Sequence, residues 1–199
     1  NHSLTPFKLR PFSIKDEMES KRIVAFIGTD GVGKSTVIEL LAGTLPSSEV
    51  IYMGMKEFRF GITQRLLANP NRISQWLFNF IAYPIETICR NQKIQEMKCN
   101  WVLVDRVPIY PFSRGGLIRW IYQCAFPKLD TLVWLKGDPK IIFERKKERN
   151  VSAIIKDQEK IQKAIAHIPH SNFLEIDTTT INAEHVTSLV STEIKKNDT

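Results

Sequence analysis

The stretch that most constrains this chain is RIVAFIGTDGVGKST, Arg22 to Thr36. After Arg22 its first residues are all apolar, so both faces of a strand here would be buried. That is the composition of a central parallel strand. The next eight residues, Gly28 to Ser35, match G-x-x-x-x-G-K-[ST] without a gap. The glycines let backbone N–H groups turn inward around a phosphate. The helix expected to open at Ser35 adds the partial positive charge of its N-terminus. Lys34 can reach β- and γ-phosphates, and the Ser35 hydroxyl can ligate Mg²⁺. Four such fixed positions arise by chance in about one chain of this length in a hundred. A buried-type strand before the match and a helical pattern after it make coincidence rarer. The reading assigns phosphate contact to Gly28, Asp30, Gly31, Val32, Gly33, Lys34, Ser35 and Thr36. Asp30 is the odd member, a carboxylate inside a loop built to hold negative charge.

The rest of the chain alternates short apolar runs with longer helical patterns. Strands are expected at Val50–Met53, Trp101–Val104, Leu129–Leu135 and Phe173–Ile176. Helices are expected at Ser35–Leu45, Phe60–Ala68, Leu117–Phe126 and Ile154–Ile168. A longer one over Ile73–Lys98 should break near Pro84. Asp138-Pro139 and Asn182 are good helix starts. Strands separated by helices predict an α/β fold: a five-stranded parallel sheet with helices on both faces. A length of 199 residues, 43% of them apolar, fits one domain over 21–199, preceded by an N-terminal extension over 1–20 with no clear period.

Three cysteines, Cys89, Cys99 and Cys124, form no CxxC pair, which argues against a zinc or disulfide framework and suits a cytoplasmic protein. His167 and His170 form a lone HxxH, read as surface residues. The apolar run Ile73 to Cys89 is too short and too interrupted to span a bilayer. A net charge of +7 suits polyphosphate ligands. Nothing beyond charge argues for nucleic acid, so no such partner is expected.

Phosphate-loop proteins need a second Mg²⁺-orienting acid at the end of a neighbouring strand. Trp101-Val-Leu-Val-Asp105 supplies it. Hydrolytic ATPases usually follow that acid with a glutamate that polarises water, but Arg106 stands here. A cation at that point suits a second phosphorylated substrate, or else a structural ion pair with Asp105. GTPase switches need a glycine three residues after the acid, where this chain has Pro108. They also need an [NT]KxD, where it has Leu135-Lys136-Gly137-Asp138. The motifs therefore point to phosphoryl transfer to a small-molecule acceptor.

The chain resembles the thymidylate kinase group of nucleoside monophosphate kinases. The likeness is carried by Asp30-Gly-Val-Gly-Lys-Ser-Thr36, Asp105-Arg106, Leu129 to Pro139, the basic run Arg145-Lys-Lys-Glu-Arg149 and Arg90-Asn-Gln92. It spans about residues 22–150 and implies a three-layer P-loop fold with a basic lid, ATP with Mg²⁺, and transfer of the γ-phosphoryl group to a monophosphate. By position, Asp30 would face the acceptor's sugar hydroxyl, Arg106 its phosphate and Arg90 its base. Ser35 and Asp105 would hold the metal. Lys34, Asp30, Asp105, Arg106, Arg145 and Arg149 make up the implied catalytic set. Spaced i, i+4, Arg145 and Arg149 would share one helix face and close over the transferring group. A homodimer is also implied.

The chain departs from the group on its acceptor side. Lys56-Glu57-Phe58-Arg59-Phe60 replaces the group's Arg-Glu-Pro-Gly, with Arg59 the candidate substitute. Val107 replaces an aromatic after Asp105-Arg106. The resemblance extends to divergent members associated with surface polysaccharides. Three readings stay open: a nucleoside monophosphate kinase, a kinase of a sugar or glycan hydroxyl with Asp30 as base, and a non-catalytic nucleotide-binding module.

Overall fold

Alternation along the strands builds the layers. In β1 (Arg22–Ile27), Ile23, Ala25 and Ile27 join one core and Val24 and Phe26 the other. In β3 (Trp101–Asp105), Val102 and Val104 fall on the first side and Trp101 and Leu103 on the second. In β4 (Leu129–Lys136), Leu132 and Trp134 oppose Val133 and Leu135. Side chains of a strand alternate between faces, so every central strand needs a helical layer on each side. The computed structural model describes residues 21–196 except 56, 70 and 148. The expected extension over 1–20, and Lys56 and Glu148 of the quoted segments, lie outside the described residues.

Five parallel strands form one sheet in the order β2-β3-β1-β4-β5, with β2 at Ser48–Tyr52 and β5 at His170–Asp177. One face is covered by α1 (Lys34–Thr44) packed on α9 (Ala183–Lys196). The other carries α4 (Tyr83–Glu96) on α6 (Leu117–Ala125), and α5 (Ile109–Ser113) on α8 (Val151–Ile165). Two shorter helices, α2 (Gly61–Ala68) and α3 (Arg72–Leu77), precede α4, and α7 (Pro139–Arg145) follows β4. Among the described residues no helix is long and apolar enough to cross a membrane.

The long helical segment is irregular just before Pro84, near the expected break. Phe78–Ala82 is a π-helix, and Pro84 sits in the first turn of the α4 that continues from it. The wider turn sets the register of α4. Tyr83, Glu86 and Thr87 all face inward, and Tyr83 stacks on Phe78 with ring centroids 5.3 Å apart. The helix α5 was not among the expected elements; Pro108 is its N-cap residue and Pro111 is buried within it.

Candidate phosphoryl-transfer site

The carboxyl ends of β1, β3 and β4 converge. In the register, Phe26 of β1 pairs with Asp105 of β3, and Asp105 with Tyr52 of β2. Strand order reverses beside β1, and open parallel sheets bind ligands at such a crevice. The loop leaving β1 lies against β4, because a Cβ on Gly28 would overlap the carbonyl oxygen of Leu135. Gly31 and Gly33 turn the chain with φ of 88° and 96°, values that favour glycine. Gly33 then caps α1, whose first turn exposes Ser35 and Thr36.

Lys34 folds back across this loop. Its Nζ donates to the carbonyls of Gly28 and Thr29, each at 2.8 Å, and only 5% of the residue is exposed. Burial first, and the charge of Arg106 second, lower its pKa from 10.5 to about 8. A ligand with negative oxygens would further favour the charged form.

Asp30 and Arg106 form an ion pair at 2.8 Å. The alternative of an Arg106–Asp105 pair is therefore corrected: Arg106 reaches past its neighbour to the loop. Arg106 holds a left-handed backbone with φ of 66°, rare for a residue with a side chain. Burial pushes the Asp30 carboxyl up, but Arg106 and then Lys34 outweigh it and hold it below the ordinary carboxylate range. Asp105 ends β3 with Oδ1 buried and, among the described residues, without a hydrogen-bond partner. A buried carboxylate oxygen without a donor fits a cation, so the Asp105 carboxylate suits the Mg²⁺ expected beside it. The Thr29 hydroxyl is buried and unpartnered in the same way.

A cavity of about 610 Å³ brings together Asp30, Lys34, Arg106 and Arg149. It also collects residues that sequence reasoning passed over: Tyr52, Tyr110, Arg114, Asp157 and Lys160. Asp157 binds Arg149 on one side and lies 3.6 Å from Lys160 on the other. Arg114 stacks on Tyr110 with its guanidinium 4.7 Å from the ring centre. Their spacing on α8 and after α5 carries no motif; only the packing of α5 on α8 makes them a site.

The shared helix face expected for Arg145 and Arg149 is absent. α7 ends at Arg145, Lys146 is extended, and Asn150 caps α8 by accepting from Ala153 N at 2.8 Å. The two arginines therefore stand on opposite ends of a connection. Arg145 donates to the carbonyls of Thr178 and Thr179 at 3.0 and 3.2 Å, outside the cavity lining, while Arg149 enters it. Lys146 comes nearer the loop. A Cβ on Gly31 would lie 3.1 Å from the Lys146 Cβ, and its charge is felt at Lys34.

Arg59 and Arg90 are not brought to Asp30. They line a second cavity of about 740 Å³ beside the edge strand β2. Arg90 donates to the carbonyls of Gly54, at 2.8 Å, and Glu57. The rebuilt segment containing Arg59 is anchored by Glu86, which is fully buried. Its carboxylate accepts from Arg59 N at 3.0 Å, Phe60 N at 2.8 Å and the Thr63 hydroxyl at 3.1 Å.

No protein-family model matches the sequence, and no curated protein is significantly similar to it. Solved structures are similar. Thymidylate kinase from Candida albicans superposes with a TM-score of 0.63 at 18% identity, over 89% of this chain and 92% of that one. The YorR protein of Bacillus subtilis, solved in complex with phosphorylated GDP, gives a TM-score of 0.58 at 13% identity, over 88% and 97%. The chain has the fold of thymidylate kinase, the α/β P-loop fold with five parallel strands.

Proposed function

We propose that residues 21–199 form one kinase domain of the cytosol that moves the γ-phosphoryl group of ATP to a small phosphorylated acceptor, a nucleoside monophosphate or a close analogue. The observation that carries this reading is one cavity in which the Asp30–Arg106 pair stands beside Lys34 and Arg149. The solved relatives are in keeping with it: one is a thymidylate kinase and the other holds a phosphorylated guanine nucleotide.

Backbone N–H groups from Gly31 to Ser35 and the Lys34 ammonium would hold the donor phosphates. Ser35 and Asp105 would hold Mg²⁺, which when bound lowers the negative charge that the transferring group presents to the acceptor. Arg106 would grip the acceptor phosphate. Asp30 orients Arg106 and stands ready to accept from an acceptor hydroxyl. Arg149, held by Asp157, offers a further cation to the charge that spreads over the transferring oxygens. A phosphate acceptor is already ionised near neutral pH, so positioning and charge suffice.

A hydroxyl acceptor would benefit from a general base. Both carboxylates of the cavity, Asp30 and Asp157, are ion-paired with arginines, so neither is poised to take a proton. This favours the phosphate acceptor. Exposed Ile85 and Ile88 of α4 and Leu117 and Trp120 of α6 are consistent with a homodimer. Sedimentation of the protein and of Ile85→Glu tests that part. The activity test is a transfer screen over nucleotides, nucleosides and sugar phosphates with ATP and Mg²⁺. ATP consumption stimulated by monophosphates is expected. Folded protein that consumes ATP with none of them would overturn the proposal.

A further inference from the structure

Two cavities flank the end of β2, and one side chain, Tyr52, lines both. The first, of about 610 Å³, holds the Asp30–Arg106 pair, and Tyr52, Gly54, Met55 and Tyr83 are part of its lining. The second, of about 740 Å³, is lined by Val50, Phe58, Arg59, Cys89 and Arg90 among others. Each volume alone falls within the roughly 300–1,000 Å³ that holds a small ligand.

The position of Tyr52 depends on its neighbours. Its phenol lies over Gly54, where an added Cβ would overlap the hydroxyl and the ring carbon that bears it. The Gly54 carbonyl accepts from Arg90 at 2.8 Å, and the Tyr83 hydroxyl donates to the Met53 carbonyl at 2.9 Å. Arg90 also lies over the Phe58 and Tyr83 rings, 5.9 and 6.0 Å from their centres. The backbone after β2 is thus fixed from the second cavity by Arg90 and from the core by Tyr83. The Tyr52 ring is the side chain left between the two spaces.

The linings differ in charge. The first sets Lys34, Arg106, Arg114, Arg149 and Lys160 against Asp30 and Asp157. The second sets Arg59, Arg90 and Lys93 against Glu57 and Glu96, close to balance. The phosphate end of an acceptor belongs in the first cavity. The second suits a neutral polar group.

We propose that Tyr52 is a specificity-determining residue. It ends the acceptor site, restricts acceptors to those that fit the first cavity, and keeps the second from receiving the extension of a larger one. The inference rests on the reading of the first cavity as a monophosphate site. It predicts that removing the ring joins the cavities, and that crowding Gly54 displaces the ring.

The test is equilibrium binding, without ATP, of thymidine 5′-monophosphates that carry uncharged base substituents of increasing length. Wild-type affinity should fall tenfold or more from the shortest to the longest. Tyr52→Ala should hold the series within about threefold, Tyr52→Phe should behave as wild type, and Gly54→Ala should move toward Tyr52→Ala. Alkylation of Cys89, followed by mass spectrometry, gives a second readout. The longest ligand should slow it in Tyr52→Ala and not in wild type, each compared with its own ligand-free rate. An unchanged size dependence in both Tyr52→Ala and Gly54→Ala overturns the role of Tyr52 alone. Equal protection of Cys89 in wild type does the same, because no partition then exists. Failure of the whole series to bind wild type overturns the monophosphate reading, and the inference with it.

Discussion

Asp30 and Arg106 meet at 2.8 Å, joining the loop after β1 to the end of β3. Both charges face the cavity that holds Lys34. On the proposed reading, the pair would explain a carboxylate in such a loop: Asp30 is turned onto a cation that could otherwise collapse on the donor phosphates. Its lowered pKa leaves it ionised but weakly basic, which suits binding and orientation better than proton abstraction. Asp30→Asn should therefore raise the acceptor KM by about tenfold or more with kcat changed far less. Steady-state kinetics over acceptor concentration decide the point. A thousandfold fall in kcat at unchanged KM would instead assign Asp30 as the base.

Arg106 holds its guanidinium in place at the expense of a left-handed backbone. That conformation costs a residue with a Cβ roughly 1–2 kcal/mol, and glycine adopts it freely. Arg106→Gly and Arg106→Ala remove the same cation, so both should lose transfer activity by similar, large factors. Their stabilities should differ, with the glycine variant unfolding about 1 kcal/mol later than the alanine variant in urea. Equal stabilities would mean that the backbone relaxes and holds no strain at this position.

Much of the sheet and the loop was legible in the sequence because each rests on local chemistry. Continuous apolar runs mark strands buried on both faces, and the glycine spacing of the loop has one mechanical use. Asp105 was legible for the same reason, as an acid at the end of an apolar run. What could not be read depends on packing between distant segments. Asp157 and Arg114 become neighbours of Asp30 only because α5 packs on α8. The i, i+4 spacing of Arg145 and Arg149 presumed a continuous helix, but Asn150 caps a new one and the chain must leave helical geometry before it. The π-helix at Phe78–Ala82 has no single-residue signal, whereas Pro84 does, so the sequence marks the place of the irregularity but not its kind.

Lys34 makes the protein's stability depend on pH in a defined direction. Its pKa falls from 10.5 to about 8 on folding, mainly because it is buried. Between those values the unfolded chain binds more protons than the folded one, so stability rises with pH across that window and is flat below about 8. Lys34→Met should remove the slope in urea titrations at pH 8, 9 and 10. Triphosphate binding should also draw a proton onto Lys34 at pH 8.5–9. Calorimetry in buffers of different ionisation enthalpy reads that uptake, and the methionine variant should lack it. A wild-type stability flat from pH 8 to 10 would show that the ammonium keeps its ordinary affinity for protons.

Glu86 should prove decisive for the acceptor-side segment despite standing outside both cavity linings. Its carboxylate is the acceptor for two backbone N–H groups and one hydroxyl at the start of α2. A negative charge at that helix start also meets the positive end of the helix dipole. Glu86→Gln keeps the shape but places an NH₂ opposite a backbone N–H. One buried donor then faces another, and a loss of about 1–3 kcal/mol is expected. The damage should be local: hydrogen exchange should quicken at Arg59, Phe60 and Thr63, while amides of β1 and β3 keep their protection. If exchange instead rises uniformly across the sheet, Glu86 supports the whole fold and the segment around Arg59 is not separately anchored.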